Sequence, residues 1–335
     1  MTSNTESNPA GVNIQPTTST ITLANRWHHF QARFAVNRSG HRVDPGLFAL
    51  GSPTADSPIF VTANYMLSFD ALRSVLIGID CYILVLDTKG INVWCAAGKG
   101  TFGTDELVHR IKVTQLHEVV KHRKLILPQL GAPGVAAHEV KKRSGFNVDY
   151  GPIHAKDLPT YLKRHQATPK MRRVRFNLRD RLVLIPVEIV SVLLPMLIAA
   201  VILFFVDGYM AAAAVASILA GVVLFPILLP WLPTPNFSTK GFILGGIVAL
   251  PFFLAELLGN PEIALWQRSG WAFAYLLALP PVTAFLSLNF TGATTFTSRS
   301  GVKREIFTYI PIMAWMFGGG IVLSITFTLI NALRG

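Results

Sequence analysis

From about residue 58 the chain alternates short apolar runs with amphipathic stretches. The runs at 59–61, 82–86, 124–127 and 146–148 have the length and residue types of strands. Between and after them, 69–79 places Leu72, Val75, Leu76 and Ile79 on one helical face. Residues 105–113 form a second helical pattern, with Thr104 as N-cap and Asp105 and Glu106 in its first turn; 135–143 and 155–164 complete the series. Strands separated by helices of this length predict a mostly parallel α/β sheet with helices on its faces. Such a sheet binds ligands at the carboxyl ends of its strands, so the loops after Val61, Leu86, Leu127 and Tyr150 are the places to look for chemistry. Beyond residue 181 the pattern changes. Five apolar segments, 182–206, 210–232, 241–258, 270–290 and 308–331, are each about long enough to cross a bilayer as a helix.

Composition supports this division. Of 335 residues 51% are apolar and only 14% charged, whereas a soluble domain carries about 25% charged residues. Residues 1–181 hold 24 basic and 13 acidic side chains, and the remainder hold 6 and 5. The basic run at 163–181 lies directly before the first apolar segment, which makes it a juxtamembrane anchor rather than a nucleic-acid surface. Lys240 and the group Arg299, Lys303 and Arg304 mark alternate loops, which predicts a cytoplasmic soluble domain and an external C-terminus. Residues 1–21 are rich in Ser, Thr, Asn and Pro without an apolar signal core, and 1–45 as a whole is expected to be loosely ordered. Glu188 and Glu256 fall inside predicted spans, where each either serves transport or pairs with polar neighbours such as Ser191. Pro280-Pro281 and Gly318–Gly320 predict kinks and close helix packing.

Two cysteines, Cys81 and Cys95, exclude a disulfide framework, a four-thiolate zinc site and a protein-borne iron–sulfur cluster. Cys81 opens an apolar strand and reads as core. Around Cys95, the run from Ala96 to Thr101 resembles a phosphate loop but lacks its first glycine, where Val93 stands, and its Ser/Thr after the lysine, where Gly100 stands. A cysteine phosphatase needs Arg where Thr101 stands, no histidine is placed locally as a base for Cys95, and the Asp-x-His-x-x-Gly corrinoid signature is absent. What remains is Asn92-Val93-Trp94-Cys95-Ala96-Ala97-Gly98-Lys99, just past the second strand. Cys95 there sits between a bulky aromatic and three small residues, which allows close approach of a large flat surface, although most cysteines are inert core residues.

The octapeptide NVWCAAGK resembles the signature of the corrinoid protein family of the mercury-methylation pair, HgcA. The segments 61–74 (VTANYMLSFDALRS), 87–102 (DTKGINVWCAAGKGTF), 122–134 (HRKLILPQLGAPG) and 146–163 (FNVDYGPIHAKDLPTYLK) resemble the domain that this family shares with the corrinoid iron–sulfur protein of acetyl-CoA synthesis. The resemblance implies an α/β Rossmann-like corrinoid-binding domain over 46–165 in the cytoplasm, a basic linker over 166–181, and an all-α transmembrane domain of five helices over 182–335. It further implies that 92–99 forms a cap helix and that the Cys95 thiolate is the lower axial ligand to the cobalt of a cobalamin-type corrinoid; the iron–sulfur relative has no such cysteine. A soft thiolate suits an electron-rich metal and pushes density toward a trans methyl group, favouring its departure as a carbanion equivalent to mercury(II). Implied partners are a small HgcB-type ferredoxin with two 4Fe-4S clusters as reductant, a methyltetrahydrofolate-type methyl donor acting through another methyltransferase, and the lipid bilayer.

Each neighbour of Cys95 keeps two readings at this level. Asn92 hydrogen-bonds a corrin amide or caps the helix; Trp94 shields the cobalt or fills core; Lys99 contacts the cofactor or solvent. Thr62 and Asn64, after the first strand, are expected at the cofactor, and so are Val93, Ala96, Ala97 and Gly98 of the octapeptide. Gly131 and Ala132, and Gly151, either admit the cofactor or form ordinary turns. Two further functions compete: a corrinoid methyl carrier of one-carbon metabolism that never meets mercury, and a transporter or sensor with a cytoplasmic ligand-binding domain.

Overall fold

The computed structural model describes residues 12–37, 40–294 and 298–334; the first eleven residues of the expected lead-in lie outside the described residues. The chain divides into two compact units, one within residues 12–175 apart from Arg33–Ala35, the other comprising Arg33–Ala35 and the chain from Phe176 onward.

The first unit is built on a six-stranded mixed sheet of order β1-β2-β4-β3-β5-β6, with β1 (Ile14–Thr17), β2 (Gly46–Leu50), β3 (Ile59–Ala63), β4 (Cys81–Leu86), β5 (Lys124–Leu127) and β6 (Asn147–Tyr150). The four strands read from the sequence are mutually parallel; Ile59 pairs with Tyr82, Phe60 with Ile126 and Lys124 with Asn147. The sheet is mixed, not uniformly parallel, because β2 runs antiparallel to β4, Gly46 opposite Val85 through Leu50 opposite Cys81, and carries β1 parallel to itself. Helices α1 (Leu23–Arg33), α2 (Met66–Arg73), α3 (Val93–Lys99), α4 (Thr104–Val113), α5 (Leu116–Val119), α6 (Ala137–Ser144) and α7 (Leu158–Arg164) surround it.

The central strands β3 and β4 are buried at every position and apolar but for Thr62, because both faces are covered. Alternate residues Ile59, Val61, Leu84, Leu86, Leu125 and Leu127 enter one core with Ala96, Ala97, Leu107 and Val140. Phe60, Cys81, Ile83 and Val85 enter the other with Phe69, Leu72, Leu76, Leu158 and Tyr161. Cys81 is fully buried there, and burial, with the Asp80 carboxylate adding, pushes its thiol up to about 12.

Two expectations are corrected. Residues 14–17 and 23–33 are a strand and a helix of the α/β unit rather than a loose lead-in. Pro16 costs the sheet no ladder bond because β1 is an edge strand. The helix expected over 69–79 ends at Arg73, and the chain continues through tight turns, Val75 N–H to Leu72 O and Leu76 N–H to Arg73 O, into Gly78 at φ +72°.

In the second unit, five helices among the described residues are long and apolar enough to cross a membrane: Leu178–Val206, Gly208–Leu228, Phe237–Leu258, Leu265–Ala293 and Ser300–Ile330. Glycines set the close packing of the third and fourth. A Cβ on Gly241 would stand 2.5 Å from Ala284 Cα, and one on Gly245 2.7 Å from Pro280 Cα. Gly320 approaches Ala278 as closely, while Gly318 and Gly319 face open space. The second helix contains a π turn, Ala220–Leu224, and the Arg181 guanidinium donates to the Pro226 and Ile227 carbonyls at 2.9 Å each. Glu305, from the last helix, accepts from both the amide and the hydroxyl of Ser238 at 2.9 Å, so it caps the N-terminus of the third. Ser191 donates to the main-chain carbonyl of Glu188 at 2.7 Å.

Candidate functional site

Because β3, β4, β5 and β6 are parallel, their carboxyl ends share one edge of the sheet. That edge receives Asn64, the loop from Asp87 into α3, the 3₁₀ turn Gln129–Gly131 and Gly151.

Helix α3 has only seven residues, too short to hold itself, so its ends and inner face are fixed by other groups. The Asn92 side chain accepts from the Cys95 amide at 2.9 Å, the N-cap bond. Gly100, at φ +84°, closes the other end and returns its N–H to Ala97 O. Val93, Ala96 and Ala97 are buried in the core. The opposite face carries Trp94 and Cys95, both half-buried, and the exposed Gly98 and Lys99. Gly98 lies three residues and Lys99 four residues beyond Cys95, so both are its neighbours one turn along. The sulfur therefore sits on a seated helix with a glycine instead of a side chain beside it. The arrangement can present one soft thiolate donor to a flat surface.

The loop that delivers α3 is held by Asn64. Its side-chain oxygen accepts from Thr88 N at 3.0 Å, Thr88 Oγ1 at 2.8 Å and Gly90 N at 2.9 Å, and its Nδ2 donates to Asp87 Oδ1 at 3.2 Å. Glu106 of α4 accepts from the Asp87 amide at 2.8 Å. Lys89 and Gly90 are both left-handed, at φ +59° and +72°, and a Cβ on Gly90 would meet the Arg42 side chain, so a glycine belongs there.

The other expected residues lie behind this layer. Thr62 and Asn64 are buried, and Asn64 spends its hydrogen bonds on the loop, which makes it a positioning residue. Gly131 is buried against the Phe102 ring, 2.5 Å from where its Cβ would be, and Ala132 is half-buried beside it. Gly151 is buried at the end of β6, its N–H bonded to Leu127 O at 2.8 Å. The Asn92 side-chain oxygen makes the capping bond to the Cys95 amide. Sequence reasoning missed Thr88 and Glu106 as loop holders; an Asn directly after a strand and an Asp-Thr-Lys-Gly turn after its neighbour are the available signal. It also missed what Gly134 does. A Cβ there would lie 3.0 Å from Ala97 Cα and against the Phe102 carbonyl, so this glycine lets the 129–134 loop press on α3. Among the described residues no group of three His, Cys, Asp or Glu side chains is placed to hold a metal ion by itself.

Residues 17–162 match the family model for the CO dehydrogenase/acetyl-CoA synthase delta subunit. Among curated proteins, gamma subunits of the acetyl-CoA decarbonylase/synthase complex are similar. That of Methanopyrus kandleri is 31% identical over 40% of this chain and 29% of its own length. Those of Archaeoglobus fulgidus and Methanosarcina acetivorans are each 32% identical, over 38% and 41% of this chain and 27% and 30% of theirs. The chain thus spans less than a third of the length of these relatives. It is the α/β unit, with the strand ends and the loop that carry Cys95, that is similar to the subunits of this acetyl-CoA synthase system.

Proposed function

We propose that the chain is a membrane-anchored corrinoid protein that transfers a methyl group to inorganic mercury(II), with Cys95 as the residue that would ligate the corrinoid cobalt. The gamma- and delta-subunit similarity supports a corrinoid methyl carrier, and the Cys95 face of α3 is the observation that carries the finer reading. The residues fit the group: a soft sulfur donor stands half-exposed at the carboxyl edge of the parallel strands, with Gly98 and the exposed Lys99 one turn on. When bound, the corrinoid supplies the cobalt-held methyl group for transfer.

The chain's own residues do the rest. Cys95 offers the donor, and Asn92 and Gly100 fix the helix that presents it. Val93, Ala96 and Ala97 seat that helix on the core, and Asn64 holds the loop before it. Trp94 and Lys99 border the thiolate, Trp94 limiting water and Lys99 reaching polar groups on the ligand. Reducing equivalents come from an HgcB-type ferredoxin with two 4Fe-4S clusters, and the methyl group from a methyltetrahydrofolate-type donor through a further methyltransferase. Basic residues in alternate loops support an inner-membrane protein with its α/β unit in the cytoplasm.

The test is the ultraviolet–visible spectrum of the full chain in detergent with cobalamin, wild type against Cys95→Ala. A spectrum that shifts on loss of the sulfur supports the ligand; absence of cobalamin binding by either protein refutes the reading. Mercury-dependent methyl transfer then separates this function from that of a one-carbon carrier with the same cofactor.

A further inference from the structure

Helix α1 has two faces, and the apolar one points away from the α/β unit. Its inner face is anchored: Ala32 is buried, His29 Nε2 meets Asp70 Oδ2 at 2.7 Å, and His28 Nδ1 lies 3.3 Å from Nδ1 of the buried His41. Asp70 is held in turn by Arg73, which also donates to Thr18 O and Thr20 O, so the anchor is a buried, charge-assisted network. At helical spacing on the other side stand Leu23, Trp27 and Phe30, which are 83%, 59% and 49% exposed, with Trp27 stacked on Phe30 at 5.4 Å. Val36, just past the helix, is also exposed. Arg26 and Arg33 both border the stripe along one margin, both exposed, and α1 contains no acidic residue.

A soluble surface seldom lines up a Leu, a Trp and a Phe in the open, and such a patch covers something. Aromatic and leucine side chains on one face with arginines along its margin are the composition of helices that lie in a bilayer interface. The occupant is on hand, because the same polypeptide carries five helices long and apolar enough to cross a membrane. The charge also matches: a purely basic margin complements lipid phosphates and anionic headgroups.

We propose that α1 is an interfacial helix that lays Leu23, Trp27 and Phe30 into the headgroup–acyl boundary, with Arg26 and Arg33 on lipid phosphates. The helix then gives the α/β unit a second attachment to the bilayer besides the chain leading into the spans. The bonds through Asp70 and Arg73 tie that attachment to the core of the α/β unit.

The test is site-directed spin labelling of the full chain in nanodiscs containing anionic lipid, in a Cys95→Ala background where the buried Cys81 stays unlabelled. A nitroxide at Leu23→Cys is compared with one at Lys112→Cys, an exposed polar position. Preferential collision with oxygen over a water-soluble nickel chelate at position 23, at a depth of about 5–10 Å, is the expected result. Equal behaviour at the two positions, or protection of position 23 from both reagents, would overturn the proposal, the latter indicating a protein cover. Arg26→Glu with Arg33→Glu draws the label toward water; an unchanged depth would remove the arginines from the argument.

Discussion

Replacing Asn64 by Ala tests whether one buried amide holds the loop that delivers Cys95. The substitution removes the acceptor of Thr88 N, Thr88 Oγ1 and Gly90 N and the donor to Asp87. The Thr88 hydroxyl keeps an alternative at Ile91 O, 2.7 Å away, but the two amides lose their acceptor, and both residues are buried. A buried donor left unsatisfied costs about 1–3 kcal/mol, so two of them weaken the loop by roughly 2–6 kcal/mol. At about 1.4 kcal/mol per factor of ten, the amides of 87–92 should exchange about 30-fold to 10⁴-fold faster. Hydrogen–deuterium exchange by mass spectrometry on the full chain in detergent reads this directly, with peptides from β5 and α6 as internal controls. Asn64→Asp keeps an acceptor for Thr88 and Gly90 but sets a second carboxylate beside Asp87, so its exchange should fall between Ala and wild type. Unchanged exchange over 87–99, or acceleration spread evenly over the α/β unit, refutes the idea that Asn64 acts locally on this loop.

Two further outcomes follow from the same geometry. The Cys81 thiol, pushed up to about 12, holds its proton in the folded chain from the ordinary thiol value of 9.0 upward. The folded form therefore binds more protons than the unfolded form in that window. Stability is unaffected below pH 9 and falls by about 1.4 kcal/mol per pH unit above it, a slope that base titration should find flattened in Cys81→Ala. Maleimide at pH 8 should likewise modify Cys95 alone until denaturant exposes Cys81, and two fast sites in the native chain would contradict the burial. Gly134→Ala drives a methyl into the backbone of Phe102 and Ala97, neither of which can yield, and should cost about 1–3 kcal/mol. Gly145→Ala, at φ +78° but in open space, should cost about 1 kcal/mol, so thermal unfolding should rank the two; equal midpoints would show that α3 gives way.

The parts of the fold legible in the sequence are those whose pattern reports its own environment. IFVTA and CYILVL are apolar save for Thr62 because both their faces are covered, and the five long apolar segments announce themselves by length. The N-terminal strand and helix were illegible for the opposite reason. β1 is four residues of mixed polarity containing a proline, and α1 turns its apolar stripe outward, so neither reads as core. The expected helix beyond Arg73 kept its apolar spacing, but the chain there runs through three-residue turns into a left-handed glycine at 78. At the site, the helix around Cys95 was anticipated through the octapeptide, whereas Asn64 was expected to face a cofactor. A polar residue after a strand can serve ligand or loop with equal chemical ease, and only the folded chain shows that the Asn64 oxygen accepts from Thr88 and Gly90.

The cap that Glu305 places on Ser238 also constrains the order in which the helical unit is completed. As the chain is synthesised, the third helix emerges 67 residues ahead of the acid that closes its N-terminus. The carbonyls at Pro226 and Ile227, by contrast, find their donor in Arg181, which has already been made. The second helix can thus be finished on insertion, while the third waits with open amides for the last. A nascent chain halted before residue 305 would hold a helix end without this cap.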